Sequence, residues 1–258
     1  MDLKGRVAIV TGAAGAIGRG ISRVLVGEGV KVVLADMARA QVEAFANEIK
    51  ASGGSALAVE VDVTSREATK EMAQKTIEVF GQIDILVNNA GIIVIAPLIE
   101  TKEEDWDKVM NVNLKGALFC LQAVAPYMIE KKIGRIINIS SEAAKRPGIL
   151  MGAYAATKHG LIGLTQVACQ ELGVHNITVN SICPGFVPSP MWSEHLSPAF
   201  APLMGVAPDK VIETFAKANT PLQRAQTPED IGEAVAYLAK ADTVTGIALT
   251  VDSGYAMY

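Results

Sequence analysis

Cysteine is scarce in this 258-residue chain, and the three present, Cys120, Cys169 and Cys183, are odd in number, far apart and set among apolar neighbours. That pattern argues against a disulfide framework and supplies no ligand cluster, so three buried thiols and no metal are expected. Half of the residues are apolar and mean hydropathy is +0.30, yet no uninterrupted apolar run approaches the roughly 18 residues that read as a membrane span. Basic residues do not gather either. The densest group is Lys131 and Lys132 with Arg135, and 23 basic against 27 acidic residues leave a net charge of -4. Neither nucleic acid nor a membrane is therefore expected as a partner. Met1 to Arg6 lead into an apolar strand without the apolar core of a secretory leader, which predicts a cytoplasmic protein.

What the chain does have is alternation. Short runs rich in Val and Ile predict strands at 6 to 11, 31 to 36, 55 to 61, 83 to 88, 134 to 140, 176 to 183 and 246 to 251. Longer amphipathic stretches predict helices near 16 to 28, 38 to 51, 65 to 80, 103 to 130, 152 to 173 and 228 to 240. This is the pattern of an α/β chain whose parallel sheet is covered on both faces. With no repeat and no linker, residues 1 to 258 read as a single domain.

Several local patterns carry chemistry. The first strand runs into Thr11-Gly-Ala-Ala-Gly-Ala-Ile-Gly18 and then a helix, a small-residue turn that offers backbone N–H groups to a pyrophosphate. Close packing alone also uses such glycines. Asp36 ends the second strand, where a carboxylate accepts ribose hydroxyls and repels a 2′-phosphate, or caps the next helix. Asp62 and Val63 end the third strand, and Thr64-Ser-Arg-Glu67 reads as a capped helix start. Asn88-Asn-Ala-Gly91 closes the fourth, where doubly wound sheets bind ligands. Asn113 interrupts an apolar helix face and is expected to bond an internal partner. Tyr154 and Lys158, four residues apart, share one helix face, and a neighbouring cation pulls a phenol's pKa down. Ser141 ends the fifth strand, so its hydroxyl is delivered to the mouth of the sheet.

In this order the motifs resemble those of the short-chain dehydrogenase/reductase family over essentially the whole chain. Thr11 to Gly18 is similar to its TGxxxGxG, Asn88 to Gly91 to its NNAG, and Tyr154 to Lys158 to its YxxxK. Ser141 stands 13 residues before the tyrosine, Asn113 matches a catalytic asparagine, and Pro184-Gly185 follows the sixth strand as in the family. Ala16 departs from the pattern, which has glycine there; Gly15 precedes it.

The resemblance implies a Rossmann-type doubly wound seven-stranded parallel sheet and an oxidoreductase. It assigns catalysis to Asn113, Ser141, Tyr154 and Lys158, with Asn113 anchoring a water. It assigns cofactor binding to Gly12, Gly15, Ile17, Gly18, Asp36, Asp62, Val63, Asn89, Tyr154, Lys158, Val187 and Ser189. Asp36, with uncharged Gly15 and Met37, points to NAD rather than NADP. The segment 186 to 221, with six prolines from Pro188 to Pro221, reads as a substrate lid. Ser141, Glu142, Tyr154 and Trp192 are the candidate substrate contacts, with Glu194 and His195 nearby, while His159 and His175 read as structural or surface groups.

The expected substrate is a secondary alcohol, such as a polyol, sugar alcohol or vicinal diol, with its ketone. The alternative is a 3-oxoacyl-carrier-protein reductase, whose two carrier-binding arginines correspond to Lys132 and His175 here. A non-catalytic NAD-binding sensor is the rival from another class. The oily helices 103 to 130 and 152 to 173 favour self-association; the resemblance implies that they form a dimer contact and that strand 246 to 251 builds a second one, so a homotetramer is expected.

Overall fold

The computed structural model describes residues 1–257. Seven parallel strands form one sheet: β1 (Val7–Thr11), β2 (Lys31–Asp36), β3 (Ala56–Glu60), β4 (Ile85–Asn88), β5 (Gly134–Ile139), β6 (Ile177–Pro184) and β7 (Ala248–Val251). Their spatial order is β3-β2-β1-β4-β5-β6-β7, so the chain reverses its direction of travel between β1 and β4. Strands β1, β4, β5 and β6 are buried from end to end, which explains why Val and Ile predominate in them.

Helices cover both faces. On one side α1 (Ala16–Gly27), α2 (Arg39–Ala51) and α9 (Pro228–Lys240) close a core around Val10, Leu25, Leu34, Phe45 and Leu238. On the other, α3 (Arg66–Phe80), α5 (Gly116–Lys131) and α6 (Gly152–Leu172) pack around Ile9, Met72, Leu86, Val124 and Val179. The sheet order, the parallel pairing and the helices on both faces are those of a Rossmann-type single domain.

The predicted elements hold to within two residues at most ends, and the exceptions are informative. The helix expected at 103 to 130 is α4 (Glu103–Met110), a π-type turn at Asn111–Lys115, and then α5. By length and apolar composition the stretch Glu103–Lys131 could cross a membrane, but half of its most apolar window is buried within this fold, where it packs as a core helix. The cap of α3 is Ser65, whose side chain accepts from the Ala68 N–H, one residue later than Thr64-to-Glu67 suggests. A reciprocal capping box does occur, between Thr227 and Asp230 at the start of α9. The lid segment contains a second π-type turn, Trp192–Leu196, followed by α7 (Ser197–Met204) and α8 (Val211–Asn219). Cys120 and Cys183 are buried, whereas Cys169 is partly exposed, so the expectation of three buried thiols fails at one.

Candidate active site

A cavity of about 370 Å³ opens beyond the C-terminal ends of the central strands, roofed by the segment after β6. Its polar floor joins Ser141, Glu142, Tyr154 and Lys158. Two contacts bring these groups together. Ser140 Oγ donates to the Lys158 carbonyl oxygen at 2.8 Å, tying the end of β5 to α6, and Lys158 Nζ donates to the Ile139 carbonyl oxygen at 2.8 Å. Lys158 Nζ then lies 5.4 Å from the ring centre of Tyr154.

Asn113 sits behind this floor. It is buried, its Oδ1 accepts from the Ile92 N–H at 2.8 Å, and its Nδ2 donates to the Ile92 carbonyl oxygen at 2.9 Å and to Thr157 Oγ1 at 3.2 Å. The expected internal partner is thus the backbone of Ile92, with a link to α6. The π-type turn places Asn113 there, as such turns frequently do at functional sites.

Electrostatics correct one expectation. Burial raises the Tyr154 pKa above that of a free phenol, with the charges of Glu142 and Cys183 adding and the Ser141 hydroxyl opposing, so the net shift is upward rather than the expected fall. Burial also lowers Lys158 to about 8, against opposing contributions from Cys183 and Glu142. Glu142 is raised to about 7, again chiefly by burial, with its hydrogen bond from Ser141 pulling the other way.

Beside the floor, the glycine-rich turn joins β1 to α1. Gly12 has φ +65°, and a Cβ there would come within 2.9 Å of Ala90 Cα and Asn89 Nδ2. A Cβ on Gly18 would lie 2.3 Å from the Gly12 carbonyl oxygen. Asn89 holds the turn from β4, its Nδ2 donating to the carbonyl oxygens of Thr11 at 2.8 Å and Gly12 at 3.1 Å. Gly15 precedes α1 without a side-chain cap, so the first amides of the helix have no side-chain partner, and a Cβ on Gly15 would meet only the Gly12 carbonyl oxygen at 3.4 Å. Ala16 is already the first residue of α1.

Asp36 accepts from the Ala14 N–H at 3.0 Å and the Ala38 N–H at 2.9 Å, one on each carboxylate oxygen, which leaves acceptor capacity on both. A small-residue cradle at a helix N-terminus, with a carboxylate at the end of the next strand, fits the pyrophosphate and ribose of a dinucleotide. Asp62 is engaged locally, its Oδ1 accepting from both the N–H and the hydroxyl of Thr64, and Val63 is buried.

Ile17, Asn89, Val187, Ser189 and Trp192 line the cavity, whereas Glu194 and His195 are exposed and do not. The roof is aromatic: Phe186 packs against Trp192 at 5.9 Å, Phe215 at 5.0 Å and Tyr255 at 5.0 Å between ring centres. Tyr255 and Arg146, whose guanidinium stacks on Tyr255 at 4.3 Å, were missed in the sequence, where nothing in their spacing links them to Tyr154. Lys132 and His175 stand before β5 and β6, at the N-terminal ends of the strands, whereas the cavity opens beyond the C-terminal ends.

Comparison with known proteins agrees with this geometry. The short chain dehydrogenase family matches over residues 6–198. A 3-oxoacyl-acyl-carrier-protein reductase of Thermotoga maritima is 38% identical over 256 residues, covering 98% of this chain and 99% of the relative. A galactitol 2-dehydrogenase of Agrobacterium fabrum is 39% identical, with 98% of each chain covered. A diacetyl reductase, (S)-acetoin forming, of Staphylococcus epidermidis is 36% identical, covering 96% of this chain and 98% of the relative. The chain belongs to the short-chain dehydrogenase family and is an oxidoreductase of that family.

Proposed function

We propose that the protein interconverts a secondary alcohol, of polyol, sugar alcohol or vicinal diol type, and the corresponding ketone with NAD. The observation that carries this reading is the meeting of Ser141, Tyr154 and Lys158 on the floor of one cavity beside the glycine-rich turn. When bound, the nicotinamide ring supplies the hydride acceptor or donor. Tyr154 moves the hydroxyl proton, giving it to the oxygen of a ketone or taking it from an alcohol. Ser141 donates to that oxygen as charge develops on it, and Lys158 holds ribose hydroxyls and adds positive charge near the phenol. Asn113 keeps the Ile92 segment in place behind them and anchors a water toward Lys158.

Asp36 supports NAD, since its carboxylate would face a 2′-phosphate at short range. Gly12, Gly15, Ile17 and Gly18 serve the pyrophosphate, Asp62 and Val63 the adenine, and Asn89, Val187 and Ser189 the nicotinamide half. The segment 186 to 221 serves as the lid, with Trp192 against the substrate. The largely apolar roof favours a neutral substrate with an apolar portion, and the low net charge favours a small molecule over nucleic acid or membrane. The galactitol dehydrogenase and the diacetyl reductase act on compounds of this kind by their names, which supports the same class here. The carrier-protein reading has the Thermotoga relative in its favour; against it, Lys132 and His175 are a weaker pair than two arginines, and Asp36 argues against NADP. We also propose a cytoplasmic homotetramer.

The experiment is absorbance at the reduced-nicotinamide band with a panel of polyols, diols and ketones, using NAD and NADP in parallel. Turnover of a panel member with NAD is expected. Tight NADH binding without turnover of any member would instead favour a sensor.

A further inference from the structure

One polar group on the cavity floor has no part in the proton transfer described above. Glu142 follows Ser141 at the start of a single 3-10 turn, Glu142–Ala144, which folds its side chain back beside the serine hydroxyl. Ser141 Oγ donates to Glu142 Oε2 at 2.5 Å and accepts from the Ala143 N–H at 3.1 Å. A serine hydroxyl has one proton. While that proton points at Glu142, it is withheld from the oxygen of a substrate.

Among the described residues, no cation offsets the carboxylate by direct pairing. Lys145 Nζ donates to the Ala248 carbonyl oxygen at 2.8 Å, Arg146 Nη1 to the Tyr255 carbonyl oxygen at 3.2 Å, and Lys158 Nζ to the Ile139 carbonyl oxygen at 2.8 Å. Glu142 instead faces the cavity together with Tyr154, under a roof of aromatic rings. A carboxylate so placed accepts further hydrogen bonds from a ligand and repels a ligand anion.

We propose that Glu142 selects substrates with a second hydroxyl on the carbon next to the reacting one. That hydroxyl donates to Glu142 in place of Ser141 and frees the Ser141 proton for the reacting oxygen. The apolar remainder of the substrate lies against Phe186, Phe215 and Trp192. The inference rests on the oxidoreductase reading and narrows its substrate to a vicinal diol or hydroxy ketone. A simple secondary alcohol leaves the Ser141 proton on Glu142 and reacts more slowly.

The test compares 1-phenylpropane-1,2-diol, each stereoisomer separately, with 1-phenylpropan-2-ol, using the full chain and NAD at a pH above the value of about 7 at which Glu142 ionises. In the wild type, kcat/KM for the best diol isomer is expected to exceed that for the mono-alcohol by about tenfold or more, the usual scale for a hydrogen bond to a charged group. In Glu142→Gln the preference should fall to about twofold, since an uncharged acceptor forms a weaker bond. Glu142→Ala carries the same expectation, so misfolding of one variant, seen as lost NADH binding, leaves the other to decide. Equal diol preference in wild type and variant overturns the inference while leaving the oxidoreductase reading intact. No turnover of either alcohol by a wild type that binds NADH overturns both.

Discussion

Lys158 Nζ stands 5.4 Å from the ring centre of Tyr154 and spends a hydrogen bond on the Ile139 carbonyl oxygen at 2.8 Å. One helical turn separates the two residues, as their spacing requires, but burial decides their protonation. With Lys158 lowered to about 8 and Tyr154 raised, the chain without coenzyme holds a phenol. Tyr154 is thus a proton donor at rest.

Glu142 gives a pH-dependent stability with a definite sign. An ordinary glutamate titrates near ~4.3, and here the native value is raised to about 7. Between those values the native state keeps a proton that the unfolded chain has released. The stabilisation is therefore complete below the lower value and is lost as pH rises through the upper one. Glu142→Gln, neutral throughout, is expected to melt above wild type at about pH 8, by about 2–4 °C for each kcal/mol relieved, with a smaller gain at about pH 5. A difference that does not change across this range would contradict the assignment.

Asp36 should govern the choice of coenzyme. Asp36→Asn removes the charge while keeping an acceptor for the Ala14 N–H, so the turn stays supported. The ratio of kcat/KM for NADP over NAD is expected to rise by about tenfold or more, the scale of removing a close like-charge repulsion. An unchanged ratio would remove Asp36 from the coenzyme site.

The glycines of the turn should not tolerate change equally. Gly18→Ala forces a Cβ to 2.3 Å from the Gly12 carbonyl oxygen, whereas Gly15→Ala meets the same oxygen at 3.4 Å. NADH titration by fluorescence should find binding lost or weakened by about a hundredfold in the first variant and changed by less than about threefold in the second, a gap of roughly 2 kcal/mol or more. The reverse order would refute this geometry of the turn.

Val167 on α6 is 55% exposed and Ile247, just before β7, is 39% exposed. The homotetramer proposed above would cover both side chains. Light scattering is expected to give a mass about four times that of the 27.2 kDa chain. A monomer at micromolar concentration would contradict it.

The strands were legible because buried parallel strands are rich in Val and Ile on both faces, as Val7 to Val10 are, while Arg135 and Asn138 interrupt β5 only as buried, hydrogen-bonded groups. The alignment of Ser141, Tyr154 and Lys158 was legible through spacing. The π-type turn at Asn113 was not, because one extra backbone residue per turn leaves no mark on composition. Tyr255 reaches the cavity from beyond β7, a contact set by the fold rather than by neighbours in the chain. The raised pKa of Tyr154 was also out of reach, since residue spacing reports a nearby charge but not the desolvation that outweighs it.

Turnover by Tyr154→Phe, measured alongside NADH binding, bears most directly on the claim that this phenol carries the proton. The variant is expected to bind NADH as the wild type does and to retain less than a few per cent of its turnover, on the scale of roughly a hundredfold or more for losing a general acid or base. Retention of most of the activity with coenzyme bound would contradict the account.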